Sequence, residues 1–248
     1  MAQAVTPQAS SPARPREVPW WAQPLATVVA LGVFSLYALW EALTHTSGRY
    51  HNYLSPFFSP DVHSWGVRVL PALWVLWVPL LFRATCYYYR KAYYRSFFWD
   101  PPACAMPDAK PNYRGETRFP LVINNLHRYF LLLSFVVLAF LWKDAVDAFF
   151  FRSGFGVGLG SIIMLVNVVL LTVYSLSCHA LRHLVGGRLN CFSCSRGAMV
   201  RYSLWKRITE WNERHAMWAW MSLFSVWITD LYIRLLISGA IHDPRFIR

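Results

Sequence analysis

Charged residues are scarce in this sequence: Asp, Glu, Lys and Arg make up only 15% of its 248 residues. Soluble domains contain closer to a quarter, so the composition argues against an ordinary cytosolic globular protein. The sequence also has no internal repeat, no phosphate-binding loop, no ATP-binding motif and no nucleophile–base arrangement. What it does have is apolar and aromatic side chains, since 56% of the residues are hydrophobic and 17% are aromatic.

Five apolar stretches follow one another along the chain, at lengths suited to crossing a bilayer. They predict an all-α polytopic membrane protein, a bundle of five transmembrane helices. The stretches are residues 22–40, 65–82, 119–142, 153–181 and 216–241. Residues 1–19 are rich in Pro, Ser, Ala and Gln and are predicted to form a mobile tail, which leaves residues 20–248 as a single transmembrane domain.

The basic residues are distributed unevenly between the connections. The chain carries 24 Lys and Arg against 12 Asp and Glu. Seventeen of the 24 lie in the tail and in or beside the connections 83–118 and 182–215. With five crossings these regions share one side of the membrane, which the positive-inside rule makes cytoplasmic. The N-terminus is therefore predicted in the cytoplasm and the C-terminus outside, and this bias explains the positive charge without nucleic acid as a partner.

A cluster of histidines and cysteines follows the fourth apolar stretch. His179 and His183 are four residues apart, which places both rings on one face of a helix. Cys191 and Cys194 then form a Cys-x-x-Cys turn. A chain that folds back here brings two thiolates to two imidazoles, and this donor set fits either a structural zinc site or a two-iron cluster. Both are electrically neutral with these ligands, which suits the edge of a membrane.

The other cysteines and histidines have less distinctive positions. Cys178 is a substitute for one of the proposed ligands, whereas Cys86 and Cys104 are predicted to be spectators, the first as filler at a helix end. His127 and His215 lie on different predicted helices, so they could bind a haem from opposite sides. In the fifth stretch Asp230 and Arg234 are four residues apart and are predicted to pair near the outer surface, with membership of a proton path as the alternative.

Several motifs together resemble a known family. They are the Tyr-rich, basic run at 87–97, Pro-Pro-Ala-Cys-Ala at 101–105, Gly-Glu-Thr-Arg-Phe-Pro at 115–120 and Asn-Leu-His-Arg-Tyr-Phe at 125–130. With the His-x-x-x-His and Cys-x-x-Cys pairs, they are similar to the single-chain membrane anchor of actinobacterial succinate dehydrogenase, over about residues 20 to 245.

The resemblance implies a haem-free anchor in the bacterial plasma membrane. It implies a Rieske-type [2Fe–2S] cluster whose ligands are His179, His183, Cys191 and Cys194. Such an anchor binds a flavoprotein subunit and an iron–sulfur subunit at its cytoplasmic face and passes electrons from succinate to menaquinone or ubiquinone in the membrane. Oligomerisation of the whole complex and the direction of the reaction stay open. Donors expected near the quinone are His127, Arg128, Tyr129, Tyr174, Ser177 and Trp205.

Two alternatives belong to other functional classes. One is a non-enzymatic membrane scaffold whose Cys and His residues hold a structural zinc ion. The other is a di-haem b-type subunit that oxidises quinol in a different oxidoreductase. Visible absorption and electron paramagnetic resonance distinguish the three.

Overall fold

A computed structural model describes residues 19, 21–67, 69–97, 117, 119, 121–152, 154–187 and 190–247. The predicted tail, apart from Pro19, lies outside the described residues, as does Cys104.

The described chain is mainly α-helical. Eight α-helices run in chain order through the described residues: α1 Ala22–Thr44, α2 Pro71–Thr85, α3 Tyr87–Phe97, α4 His127–Asp147, α5 Leu159–Leu176, α6 His179–Gly186, α7 Arg196–Asn212 and α8 His215–Ile237. A short 3-10 helix, Leu121–Leu126, leads into α4. The predicted class, an all-α polytopic membrane protein, is confirmed.

Four helical segments of the described chain are long and apolar enough to cross a bilayer. They are Ala22–Thr44, Val122–Asp147, Leu159–Leu176 and His215–Ile237. The fifth predicted crossing corresponds to α2, which has 15 residues and so extends about 22 Å, less than the roughly 30 Å of a bilayer core. Five crossings, and the sidedness of the termini, stay predictions.

Several predicted stretches begin or end elsewhere than expected. The third, predicted over 119–142, forms the 3-10 helix Leu121–Leu126 followed by α4 His127–Asp147. The second was expected from residue 65, but α2 begins at Pro71, because Leu70 has the left-handed conformation (φ 46°) and proline suits a helix start. The fourth was expected to be continuous over 153–181, but Gly154–Phe155 and Val157–Gly158 are strands. Its helix ends at Leu176, and Ser177 and Cys178 separate it from α6.

Three antiparallel strand pairs lie at one end of the bundle, here called the outer end. They are β1 Arg49–Tyr50 with β2 Tyr53–Leu54, β3 Phe150–Phe151 with β4 Gly154–Phe155, and β5 Val157–Gly158 with β6 Arg245–Ile247. Asp243 fixes the last pair, since it accepts hydrogen bonds from Tyr53 Oη at 2.6 Å, Tyr232 Oη at 2.7 Å and the Gly160 N–H at 2.9 Å.

The opposite end, here called the basic end, contains α3, α6 and α7 and the helix termini beside them. A cluster of buried apolar residues lies just inside it, around Phe82, Leu131, Tyr174 and Leu223. Many apolar side chains on the outside of the bundle are exposed, such as Leu36 at 70% and Leu80 at 64%. Such side chains suit contact with lipid, where no water penalises them.

Candidate metal centre

The four residues predicted as metal ligands form two separate pairs at the basic end. His179 and His183 lie one turn apart on α6, with their Nε2 atoms 3.0 Å apart. Cys191 and Cys194 are joined as a disulfide, with Cα atoms 5.7 Å apart. Both rings and Cys194 are exposed. Across the described residues, no three His, Cys, Asp or Glu side chains converge on the position of a single ion.

A second set of two cysteines and two histidines is largely buried at the same end of the bundle. Cys86, His127, Cys178 and His215 form this buried quartet. Cys86 Sγ lies 3.6 Å from His215 Nε2, and Cys178 Sγ lies 3.2 Å from His127 Nε2. The two cysteines and His215 are at most 2% exposed. From the sequence, Cys86 is predicted to be filler, Cys178 a substitute ligand and the two histidines the ligands of an alternative haem site, so this grouping is not anticipated.

The quartet forms because each of its members lies at the start of a helix at the basic end. His127 and His215 are the first residues of α4 and α8. Cys178 is the N-cap of α6, and Cys86 lies between α2 and α3. The two cysteines have nearly the same extended backbone, with φ and ψ of −65° and 130° for Cys86 and −64° and 135° for Cys178.

A hydroxyl residue precedes each cysteine and holds the histidine that faces the other cysteine. Thr85 Oγ1 lies 2.9 Å from His127 Nδ1, and Ser177 Oγ lies 2.7 Å from His215 Nδ1. Both rings therefore have Nδ1 engaged in a hydrogen bond and Nε2 directed at a sulfur atom. Histidines that bind metals in proteins nearly always have the second ring nitrogen held in this way.

The sulfur atoms of the quartet lie against helix N-termini. Backbone N–H groups two and three residues further along the chain donate to Cys86 and to Cys178, an environment that stabilises a thiolate. Burial nevertheless raises the pKa of Cys86. Burial and the neighbouring Cys86 raise the pKa of Cys178 to about 12. Both thiols therefore keep their protons at pH 7 unless a metal replaces them.

A buried tyrosine and a partly buried arginine flank the quartet. The Tyr174 ring stacks on His215 with centroids 5.0 Å apart, and its hydroxyl lies beside Cys86. By hydrogen-bond geometry that buried hydroxyl has no partner among the described residues. The Arg83 guanidinium lies 4.6 Å from the centre of the Tyr174 ring and donates to Ser222 Oγ at 3.0 Å. The site thus offers a donor and a positive charge next to the sulfur atoms.

A cavity of about 570 Å³ extends from the quartet to the surface of the basic end. Three of the six predicted quinone-binding residues line it: His127, Arg128 and Tyr129. The other three do not. Tyr174 and Ser177 are buried at 1% and 0% exposure, and Trp205 packs under the Arg182 guanidinium at 4.6 Å.

Comparison with known proteins identifies the family. Residues 22–239 match the family described as actinobacterial succinate dehydrogenase subunit SdhC. The chain belongs to this family. A solved chain from the "Mycobacterium smegmatis Sdh1 complex in the apo form" is 41% identical, with 98% of each chain covered and a TM-score of 0.81. No curated protein matches.

Membership of the SdhC family confirms the main functional prediction from the sequence. The chain is a multi-pass membrane subunit of a bacterial succinate dehydrogenase. It is part of an enzyme complex and is not catalytic for succinate on its own.

Proposed function

We propose that this SdhC-family chain docks a flavoprotein subunit and an iron–sulfur subunit at its basic end and passes electrons from succinate to a membrane quinone. We place the basic end in the cytoplasm, as the charge distribution predicts. The surface there suits a protein partner, because it combines exposed aromatic residues with basic ones. Tyr87 is 55% exposed and Trp211 is 41% exposed, and Arg90 lies over the Tyr87 ring at 5.5 Å.

The observation that carries the proposal is the buried quartet. Two thiols and two imidazoles are the donor set of a Rieske-type [2Fe–2S] cluster, in which the four ligands are divided between two irons. They therefore need not converge on one ion. When bound, such a cluster supplies a one-electron carrier, with a potential raised by its histidine ligands. The held Nδ1 atoms and the unpartnered Tyr174 hydroxyl beside Cys86 fit this group.

The quartet competes with the ligand set that the sequence analysis predicts. Cys191 and Cys194 are joined to each other, and metal binding requires free thiolates. The His179 and His183 rings are exposed and line the same cavity, whereas Cys86, Cys178 and His215 are at most 2% exposed. We therefore propose the quartet as the cluster ligands. The competing ligand set, which the experiments must distinguish from the quartet, is His179, His183, Cys191 and Cys194.

The chain's own residues then have separate roles. Thr85 and Ser177 hold the two histidine rings in one orientation through Nδ1. Arg128 and Tyr129, exposed at the cavity that the quartet also lines, supply donors to a quinone carbonyl, which needs polar groups in an otherwise apolar pocket. His127, as a ligand, is not a quinone donor. Menaquinone and ubiquinone present the same two carbonyls, so either fits.

Activity of the complex with and without this chain tests the function. The flavoprotein and iron–sulfur subunits alone should reduce a soluble artificial acceptor with succinate, and should reduce quinone only after this chain is added. Quinone reduction by the two soluble subunits at the same rate would contradict the proposal. So would an assembled complex that reduces the acceptor but no quinone, which is the result expected of a scaffold.

A further inference from the structure

A cluster of ionisable side chains is buried at the outer end of the bundle, far from the quartet. Glu41 on α1 and Asp230 on α8 are both 0% exposed. Arg234 Nη2 lies 2.6 Å from Glu41 Oε2, and Arg234 Nε lies 3.9 Å from Asp230 Oδ1. From the sequence, Asp230 and Arg234 are predicted to pair near the outer surface. They do approach each other, but Asp230 is buried and Arg234 lies closer to Glu41.

The charges in this cluster do not balance without an additional proton. Two carboxyl groups face one guanidinium, and an unpaired charge is costly in a buried site. The hydroxyl groups of Tyr37 and Ser55 also donate hydrogen bonds to Asp230, the Tyr37 bond at 2.5 Å. Neither hydroxyl carries a charge that could balance the cluster. Two other ion pairs at this end are balanced among themselves: Arg49 with Asp61 and Lys143 with Asp147.

His45 connects the cluster to the outer surface. Its Nδ1 lies 3.3 Å from Glu41 Oε2, and its side chain is 32% exposed while that of Glu41 is fully buried. Burial and the Arg234 guanidinium lower the pKa of His45, which favours the neutral ring. The ring can therefore pass a proton between water and Glu41 without holding it.

Polar side chains continue from this cluster along α8 towards the basic end. Ser222, Ser225 and Thr229 have the spacing of one helix face. Ser225 Oγ donates to Asn167 Oδ1 at 2.9 Å, and Ser222 Oγ accepts from Arg83, which flanks the quartet. Ser222, Thr229 and Asn167 are at most 2% exposed. The distance along the axis from Asp230 to Ser222 is about 12 Å, over which buried water can bridge such groups.

We propose that the Glu41–Asp230 cluster is a proton-transfer site that takes protons from the outer surface through His45 and delivers them along α8 to the quinone. This inference rests on the proposed function. Reduction of a quinone to a quinol consumes two electrons and two protons. The electrons come from succinate by way of the partner subunits, and the protons come through this chain from the opposite side of the membrane. Succinate oxidation is then coupled to the membrane potential.

The test uses the whole complex in proteoliposomes that contain a pH indicator in the lumen. Succinate and a quinone analogue are added outside, so only complexes with their outer end facing the lumen turn over. The lumen should become alkaline in proportion to the quinol formed, and an uncoupler should abolish the change. Constant lumen pH during full quinone reduction by the unaltered complex overturns the proton path alone. Failure of quinone reduction itself overturns the proposed function.

Variants locate the path within the chain. Glu41→Gln keeps the shape of the side chain but cannot exchange a proton, and should lose lumen alkalinisation. His45→Gln, at a partly exposed position that tolerates change, should slow it several-fold. Asp147→Asn is the matched control, since this outer-end carboxylate is exposed and should leave alkalinisation unchanged. If assembled Glu41→Gln and His45→Gln complexes both alkalinise the lumen like the unaltered complex, the cluster is not the route.

Discussion

At the scale of single residues, the site depends on two short pairs of neighbours in the chain. In the first pair, Thr85 holds His127 while Cys86 faces His215. In the second pair, Ser177 holds His215 while Cys178 faces His127. Each histidine is therefore held by one pair and faces the cysteine of the other pair, so the two helix junctions together fix both rings and both sulfur atoms. A hydroxyl followed by cysteine at two helix ends was visible in the sequence. A two-residue pair of this kind carries no spacing that predicts a ligand, whereas His-x-x-x-His places two rings on one helix face.

The hydroxyl groups can be removed without disturbing the ligands themselves. Thr85→Val together with Ser177→Ala should release both Nδ1 atoms and weaken metal retention about 10- to 100-fold, because such outer contacts orient the ligand rings. Iron and acid-labile sulfide per purified complex measure the effect. Ser134→Ala is the control, since that buried hydroxyl bonds only the Leu131 carbonyl of its own helix. Equal iron content in all three proteins would argue against the quartet.

At the scale of elements, the sequence predicts where apolar helices lie better than where they break. The five apolar stretches correspond to α1, α2, α4, α5 and α8, because hydrophobic length is a strong signal. The break at Ser177 and Cys178 was missed because the apolar run continues across it, and only tertiary contacts, such as Ser177 with His215, favour it. The strands before α5 were missed for the same reason, as Gly154 to Gly158 carry no charge.

The start of α5 should tolerate little change, because the helix packs closely on the outer-end strands. A Cβ at Gly160 would lie 2.5 Å from Tyr53 Cε2 and 2.7 Å from Cζ, and Tyr53 is only 1% exposed. Gly160→Ala should therefore destabilise the protein by about 1–3 kcal/mol, seen as a lower thermal midpoint of the purified complex. Gly32→Ala, with nothing within 4 Å, should not lower it. Equal midpoints would mean that the ring moves freely.

At the scale of the whole molecule, the charge distribution predicts that the two ends lie on opposite sides of the membrane. Composition and positive-inside bias were enough to predict a multi-pass membrane protein, and family membership confirms a succinate dehydrogenase subunit. The proposed cluster lies at the basic end, where the flavoprotein and iron–sulfur subunits are proposed to dock. The separate outer-end cluster could not be predicted as buried, because Glu41 and Arg234 meet only through the packing of α1 against α8.

Reporter fusions test the predicted sidedness. A fluorescent protein fused to the N-terminus should fluoresce, because such a reporter folds only in the cytoplasm. An alkaline phosphatase fused after Arg248 should be active, because that enzyme requires export. The exchanged pair of reporters should be silent. Activity of the same reporter at both termini would indicate an even number of crossings and remove α2 as a span.

The most direct test of the central claim is electron paramagnetic resonance of the reduced, assembled complex with single ligand substitutions. A Rieske-type signal should be present in the unaltered complex, absent in Cys86→Ala and His215→Ala, and retained in His183→Ala and Cys194→Ala. The opposite pattern, with loss of the signal in His183→Ala and Cys194→Ala but retention in Cys86→Ala and His215→Ala, would contradict the buried quartet as the ligand set.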